Sequence, residues 1–327
     1  MQSYGMTIPF DNVPLHEQRD WIVELADLGY TDVWSSEANG ADAFTPLALA
    51  SAWAPSLRLG TAIVPAFTRG PGCLAQSVGS LAQAAPGRVA LGVGTSSNVI
   101  VEGWNGIPFE HPYQRTRDMV RFLRRALRGE KVTAEYETFS VRGFKLGVVP
   151  PEPVPILVAA LREGMLRLAG REGDGAIVNW LSADDVATVA PIVRRAAEGA
   201  DAPDGAPPEI VARIFVAPSD DADKVRGMGR FAIAAYLNVP VYAAFHAWLG
   251  RGDRLGDMWR LWKEGDRKGA LAAIPHEVVD ELIVWGKPEQ CREHIERYLD
   301  SGVSTPALAL LPFGYDQRQA IRDLARR

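Results

Sequence analysis

Apolar runs and amphipathic segments alternate along the whole chain. "SYGMTI" reads as a short strand, and "PLHEQRDWIVELADLG" as a helix with Trp21, Ile22, Leu25 and Leu28 on one face and Gly29 as its stop. Strands at "TDVWSS", "LRLGTAIVPA" and "GRVALGVGTSS" are followed by helical stretches at "FTPLALASAWA", "CLAQSVGSLAQAA" and "QRTRDMVRFLRRALRG". Four further strands follow, at "PILVAAL", "DGAIVNWL", "EIVARIFVAPS" and "TPALALLP". Their helices are "EGMLRLAGREG", "SADDVATVAPIVRRAAEG", residues 222–237 and "DQRQAIRDLARR". The strands are mostly continuous apolar runs, as strands buried on both faces should be. Eight of them separated by helices predict a (β/α)8 TIM barrel rather than an open sheet.

A barrel of this kind needs about 250 residues. The chain has 327, so a single barrel domain over residues 1–327 is expected to carry insertions. Residues 130–150, "EKVTAEYETFSVRGFKLGVVP", alternate like a hairpin, and residues 238–287 read as a helical excursion suited to a substrate lid. "APDGAPP" (Ala202–Pro208) is too short to separate domains and reads as a surface loop. "FAIAAYLNVPVYAAFHAWL" (Phe231–Leu249) approaches membrane-spanning length without a formal charge. Pro240 in its middle breaks a helix, so the stretch reads as a buried helix followed by a turn covering a pocket.

Composition narrows the function classes. A chain that is 47% hydrophobic and 23% charged can bury a large core. Its net charge of −5, with no block of Lys/Arg free of acids, speaks against nucleic-acid and membrane-surface partners. Cys73 and Cys291 lie far apart without CxxC spacing, so neither a disulfide framework nor a zinc site is expected, and Cys73 reads as a packing residue. Asp11, Glu17 and Asp20 interrupt any signal-like start, which points to a cytoplasmic protein.

Barrels place their sites at the carboxyl ends of the strands. Those ends carry Ser36-Glu37-Ala38-Asn39, Pro65–Arg69, Thr95–Asn98, Ala159–Arg162, Asn179-Trp180 and Pro312-Phe313. The five histidines form no HxH pair at a strand end, so no metal site is expected, and no strand carries a Schiff-base lysine. Small residues and hydroxyls suit a flat, phosphate-bearing cofactor that brings its own chemistry. In "GVGTSS", Gly92 and Gly94 allow close approach to the backbone, while Thr95, Ser96 and Ser97 offer hydroxyls and successive N–H groups to an anion. A tight turn held by local serine and asparagine hydrogen bonds is the other reading of the same residues.

"LRLGTAIVPAFTRGPGCLAQ", "GRVALGVGTSSNVIVEGWNGIPFEHPYQRTRDMVRFLRRAL" and "PILVAALREGMLRLAGREGDGAIVNWLS" together resemble the luciferase-like monooxygenase superfamily. They look most like its branch of oxidoreductases that use the deazaflavin coenzyme F420. "VWSSEANGADAFTPLALA" and "AYLNVPVYAAFHAWLGRGD" extend the resemblance over essentially the whole chain. The resemblance implies hydride transfer between F420 and a small, rather apolar organic substrate. An FMN-dependent monooxygenase using reduced flavin and oxygen stays open, as does a barrel that binds a ligand without turnover. A homodimer is also implied.

The resemblance further implies site residues. The cofactor ring is expected at the barrel mouth, backed by a strand-three bulge with a non-prolyl cis peptide at Ala62–Ile63. Thr95, Ser96 and Ser97, with Gly94 before them, match the phosphate-contacting segment. Ala159, Ala160, Leu161 and Arg162 match the tip that faces the cofactor tail, where Arg162 pairs with phosphate or simply begins a helix. Ser36 and Trp180 complete the expected cofactor contacts. Family dehydrogenases often carry an acid followed by histidine after strand two; here the pair is Glu37-Ala38, and Ser97 or Asn98 stands where some members use glutamate. Glu37 is then either a proton carrier with a pKa raised by burial or a structural hydrogen-bonding group. Tyr242 and His246, in the insertion, are the other catalytic candidates, although a lone histidine in an apolar helix also reads as a core residue. Trp104, His111 and Tyr113 are expected over the mouth.

Overall fold

The computed structural model describes residues 3–198 and 207–326, so most of the expected surface loop at Ala202–Pro208 lies outside the described residues. The strands are β1 (Gly5–Thr7), β2 (Asp32–Ser35), β3 (Arg58–Thr61), β4 (Val64–Pro65), β5 (Val89–Gly94), β6 (Val132–Glu135) and β7 (Ser140–Phe144). They continue with β8 (Ile156–Ala159), β9 (Gly175–Asn179), β10 (Glu209–Ala217), β11 (Val284–Trp285) and β12 (Thr305–Leu310). Parallel pairing runs β1-β2-β3-β5-β8-β9-β10-β12 and closes when Gly5 and Met6 meet Ala307 and Leu308. These are the eight strands read from the apolar runs, and the fold is the (β/α)8 barrel that they predict. β4 continues β3 after a break and pairs with β5, β11 pairs with the end of β10, and β6 and β7 form a separate antiparallel hairpin.

The first helices are α1 (Arg19–Asp27), α2 (Phe44–Trp53), α3 (Pro71–Ala84), α4 (Pro112–Leu127), α5 (Glu163–Glu172) and α6 (Ala183–Ala197). α12 (Pro288–Asp300) and α13 (Gln317–Leu324) complete the outer layer. Outward residues of β10 such as Ile210, Ala212 and Ile214 join the core shared with these helices. Cys73, expected as a packing residue, is instead exposed on α3.

Inward residues stack in tiers. At the bottom Arg58 donates to both oxygens of Glu209 at 2.7 Å and reaches Asp32 at 3.4 Å, and Thr305 also donates to Glu209. Above this polar plug lie Trp34, Ala90, Leu157, Ile177, Val211 and Ala307. Trp34 crosses the centre because its neighbour on β3 is Gly60: a Cβ there would stand 2.2 Å from the indole ring. The third tier forms the floor of the mouth.

Between β10 and β12 the chain adds α7 (Ala222–Leu237), α8 (Pro240–His246), α9 (Gly252–Glu264), α10 (Arg267–Ala272) and α11 (His276–Leu282). The apolar stretch Phe231–Leu249 breaks between Leu237 and Pro240, where the chain bends by 111°. Among the described residues no single helix is long and apolar enough to cross a membrane. Arg251 ties the insertion to the barrel. Its buried guanidinium pairs with Asp185 and Glu281, each at 2.9 Å, and donates to the hydroxyl of Ser182, which caps α6.

A candidate active site at the barrel mouth

A cavity of about 1270 Å³ opens over the carboxyl ends of the strands. Pockets for one small molecule span roughly 300–1,000 Å³, so this volume accommodates a cofactor together with a substrate. The pairing order sets β3 across the barrel from β10, and the two sides of the mouth differ chemically.

On the β3–β5–β8 side the third tier consists of Ala62, Gly94 and Ala159. A Cβ on Gly94 would stand 2.6 Å from that of Ala159, so only glycine lets these strands meet there. The break between β3 and β4 is the cis peptide Ala62–Ile63. The tip of β2 holds both its ends: the Ala62 N–H donates to Ser35 O at 2.6 Å, and Ile63 O accepts from the Glu37 N–H at 3.1 Å. The result is a flat shelf of small residues, and Ser36, Ala62 and Ile63 line the cavity beside it. Gly94 lies just behind the lining.

The next wall suits an anion. Thr95, Ser96 and Ser97 line the cavity, with Ser96 in the left-handed region at φ 60°. The Ser97 hydroxyl accepts the Ile100 N–H at 3.4 Å, opening a wide helical turn over Val99–Trp104. Ala159, Ala160, Leu161 and Arg162 continue the wall into the first turn of α5. No side chain caps α5, so its leading N–H groups remain available. Glu163 is paired with Arg167, whereas Arg162 is exposed and has no ion-pair partner among the described residues.

Proton-bearing groups fall into place unevenly. Tyr242, on α8 of the insertion, lines the cavity, and its hydroxyl accepts from Asn179 Nδ2 at 3.1 Å. Burial pushes the phenol up to about 12, against the opposing pull of Asn179 and Arg213. The hydroxyl therefore keeps its proton near neutral pH, and Asn179 leaves that proton free to donate. Glu37 also lines the cavity, but Arg69 grips its carboxylate with Nη2 at 2.6 Å and Nε at 3.2 Å. It enters the cavity as half of an ion pair.

Besides Gly94, two expected site residues do not reach the cavity. Trp180 has φ 53°, which turns its indole behind the lining to stack on Phe215 with centroids 4.0 Å apart. It supports Tyr236, which does line the cavity, from 5.1 Å. His246 is fully buried against Phe245 and outside the cavity lining. Burial, aided by the nearby Arg251 cation, pushes its pKa down to about 3. The Trp180 backbone offsets part of that push without closing a proper hydrogen bond to either ring nitrogen. Of the other mouth candidates, Trp104 and Tyr113 line the cavity and His111 does not.

The lining residues not expected from the sequence include Thr7, Arg213 and, as a role beyond its place at a strand end, Asn179. Thr7 Oγ1, Asn179 Oδ1 and Arg213 Nε are each buried without a hydrogen-bond partner. The available signal was a charge inside the apolar run "EIVARIFVAPS".

The profile of the luciferase-like monooxygenase family matches residues 2–305. A 5,10-methylenetetrahydromethanopterin reductase from Methanolobus tindarius is 27% identical over 306 residues, covering 90% of each chain. An F420-dependent glucose-6-phosphate dehydrogenase from Rhodococcus hoagii is 31% identical over 283 residues, 83% of this chain and 78% of its own. The solved structure of the coenzyme F420-dependent tetrahydromethanopterin reductase from Methanopyrus kandleri superimposes with a TM-score of 0.82 at 19% identity, covering 99% of this chain and 97% of its own. With a profile match over nearly its whole length on a closed barrel, the chain belongs to the luciferase-like monooxygenase family.

Proposed function

We propose that the protein is an F420-dependent oxidoreductase acting on a small organic substrate with a largely apolar body. The observation that carries this reading is the two-sided mouth, with a shelf of small residues facing a polar wall and an uncapped helix start between them. Relatives named for F420 favour the deazaflavin over FMN. When bound, F420 supplies a ring carbon that takes up or gives out a hydride.

The chain's own residues do the rest. Ala62, Ile63 and Ala159 back the ring, and Ser36 bounds it. Thr95, Ser96, Ser97 and the first turn of α5, with Arg162, hold the phosphate and the acidic tail through N–H groups, hydroxyls and a guanidinium. The Glu37–Arg69 ion pair fixes the β2 tip that holds the shelf. Tyr242 holds a proton at Oη for the substrate oxygen. Tyr236, Val239 and Tyr242, from α7, α8 and the corner between them, exclude water above the reacting atoms. Positioning is the main source of rate.

Separate titrations of the purified protein with F420 and FMN, read by fluorescence quenching or calorimetry, test the proposal. Tight F420 binding with weak FMN binding is the expected result. The reverse preference overturns it in favour of a flavin monooxygenase, which reduced-FMN-dependent oxygen consumption would confirm.

A further inference from the structure

The mouth contains a cation without a counter-ion. Arg213 stands on β10, across the barrel from the Ala62–Ile63 shelf, with Asn179 and Ala307 beside it in register. The carboxylates that line the same cavity are Asp11, Glu37 and Glu163. Glu37 is held by Arg69 and Glu163 by Arg167, and Asp11 is exposed on the loop after β1. Arg213 has no ion pair among the described residues. The face of Phe215, 5.0 Å from Cζ, is its only described cation contact. That ring is itself stacked on Trp180, so the guanidinium rests against a braced aromatic pair.

A half-buried guanidinium without an anion is poorly compensated, and buried polar groups elsewhere in folded proteins find partners. Here the omission is repeated among residues that line one cavity. Arg213 Nε and Thr7 Oγ1 are buried and unpartnered, and the Tyr242 hydroxyl has a proton to donate after accepting from Asn179. Thr7 on β1, Arg213 on β10 and Tyr242 on α8 therefore line one cavity, whose remaining floor includes Ile177 and Ala309. A guanidinium fork with hydroxyl donors beside it matches a planar carboxylate, and an apolar floor matches the carbon body attached to it.

We propose that Arg213 binds a carboxylate of the substrate, so that the enzyme acts on small organic acids with an apolar body. The hydride step rests on the F420 reading, whereas carboxylate recognition is a property of the protein wall alone.

Benzoate and benzamide, nearly equal in shape and different in charge, are suitable probes. Each is titrated calorimetrically into the protein with and without F420. Wild type binds benzoate at least tenfold more tightly than benzamide. Arg213→Gln abolishes that preference, Arg213→Lys keeps part of it, and both variants retain F420 affinity within about twofold. Absence of benzoate binding, equal binding of the two probes, or an undiminished preference in Arg213→Gln overturns the proposal. Loss of F420 affinity in Arg213→Gln with the benzoate preference intact also overturns it, by assigning the cation to the cofactor. A benzoate preference in a protein that does not bind F420 supports the carboxylate site and refutes the cofactor reading instead. Thermal melts verify that both variants fold.

Discussion

His246 is the residue whose role the structure changes most, and its burial makes a quantitative prediction. Its pKa lies near 3 in the folded protein, mainly because burial disfavours the imidazolium and secondarily because Arg251 is close. In the unfolded chain the same group titrates near 6.5. Between these values the unfolded chain binds a proton that the native protein does not. The stability contributed by neutral His246 is thus fully present above the unfolded value and is lost as pH falls towards the folded one. Going from pH 7 to pH 5 costs about 2 kcal/mol from this group alone, a figure set almost entirely by the unfolded pKa because pH 5 is still well above the folded one. His246→Leu keeps the volume, removes the titration and removes two unpartnered ring nitrogens, so at pH 7 it is close to neutral or stabilising. His294, also lowered by burial, contributes in the same direction to both proteins and cancels in the comparison. Urea unfolding of wild type and His246→Leu at the two pH values measures the double difference. Equal losses in both proteins would refute the assignment. The pH profile of kcat/KM supplies a second check: His246→Leu keeps both limbs, and the disappearance of one would mean that His246 reaches the substrate after all.

Tyr242→Phe lowers kcat by roughly 10²- to 10⁴-fold, leaves F420 affinity unchanged, and costs about 0.5–1.5 kcal/mol for the lost Asn179 hydrogen bond. With the phenol pushed up to about 12, wild-type kcat shows no tyrosine limb up to pH 9 in steady-state assays. Gly60→Ala places a Cβ 2.2 Å from the Trp34 ring, forcing the indole out of the barrel centre. It should cost about 1–3 kcal/mol or more, read by chemical denaturation together with a shift in tryptophan emission. Arg251→Met leaves Asp185 and Glu281 without their buried partner and should cost about 3–5 kcal/mol. Hydrogen exchange should then rise in α7–α9 before the barrel strands are affected, and uniform acceleration would contradict the role of Arg251 as the local tie.

The barrel was legible because strands buried on both faces announce themselves as unbroken apolar runs, and each run is separated from the next by helical periodicity. β5 and β10 illustrate this: "VALGVG" and "EIVARIFVA" alternate between two apolar environments, the barrel interior and the helix layer. What that signal hides is anything shorter than a run. The break between β3 and β4 leaves "LRLGTAIVPA" looking continuous, since hydropathy does not register a change of peptide geometry. β11, two residues long, carries too little pattern to stand out from the helices around it.

The site divides along the same line. Chain order alone places the strand ends on one rim, so Thr95–Ser97 and Ala159–Arg162 could be gathered from topology without knowing any side-chain direction. Direction is decided by single backbone angles, and here the sequence is silent. Asn179 and Trp180 are adjacent, yet the first faces the cavity and the second, at φ 53°, faces the core behind it. His246 follows the same logic, because an apolar helix at a bend has two faces and composition does not say which is the roof. Arg213 is the opposite case. Once the barrel closes, Val211, Arg213 and Phe215 must share the inner face of β10, and a cation in that series breaks the rule that every other inward residue of the strand above its polar plug obeys. A local choice that contradicts an otherwise consistent pattern persists when something outside the fold compensates for it.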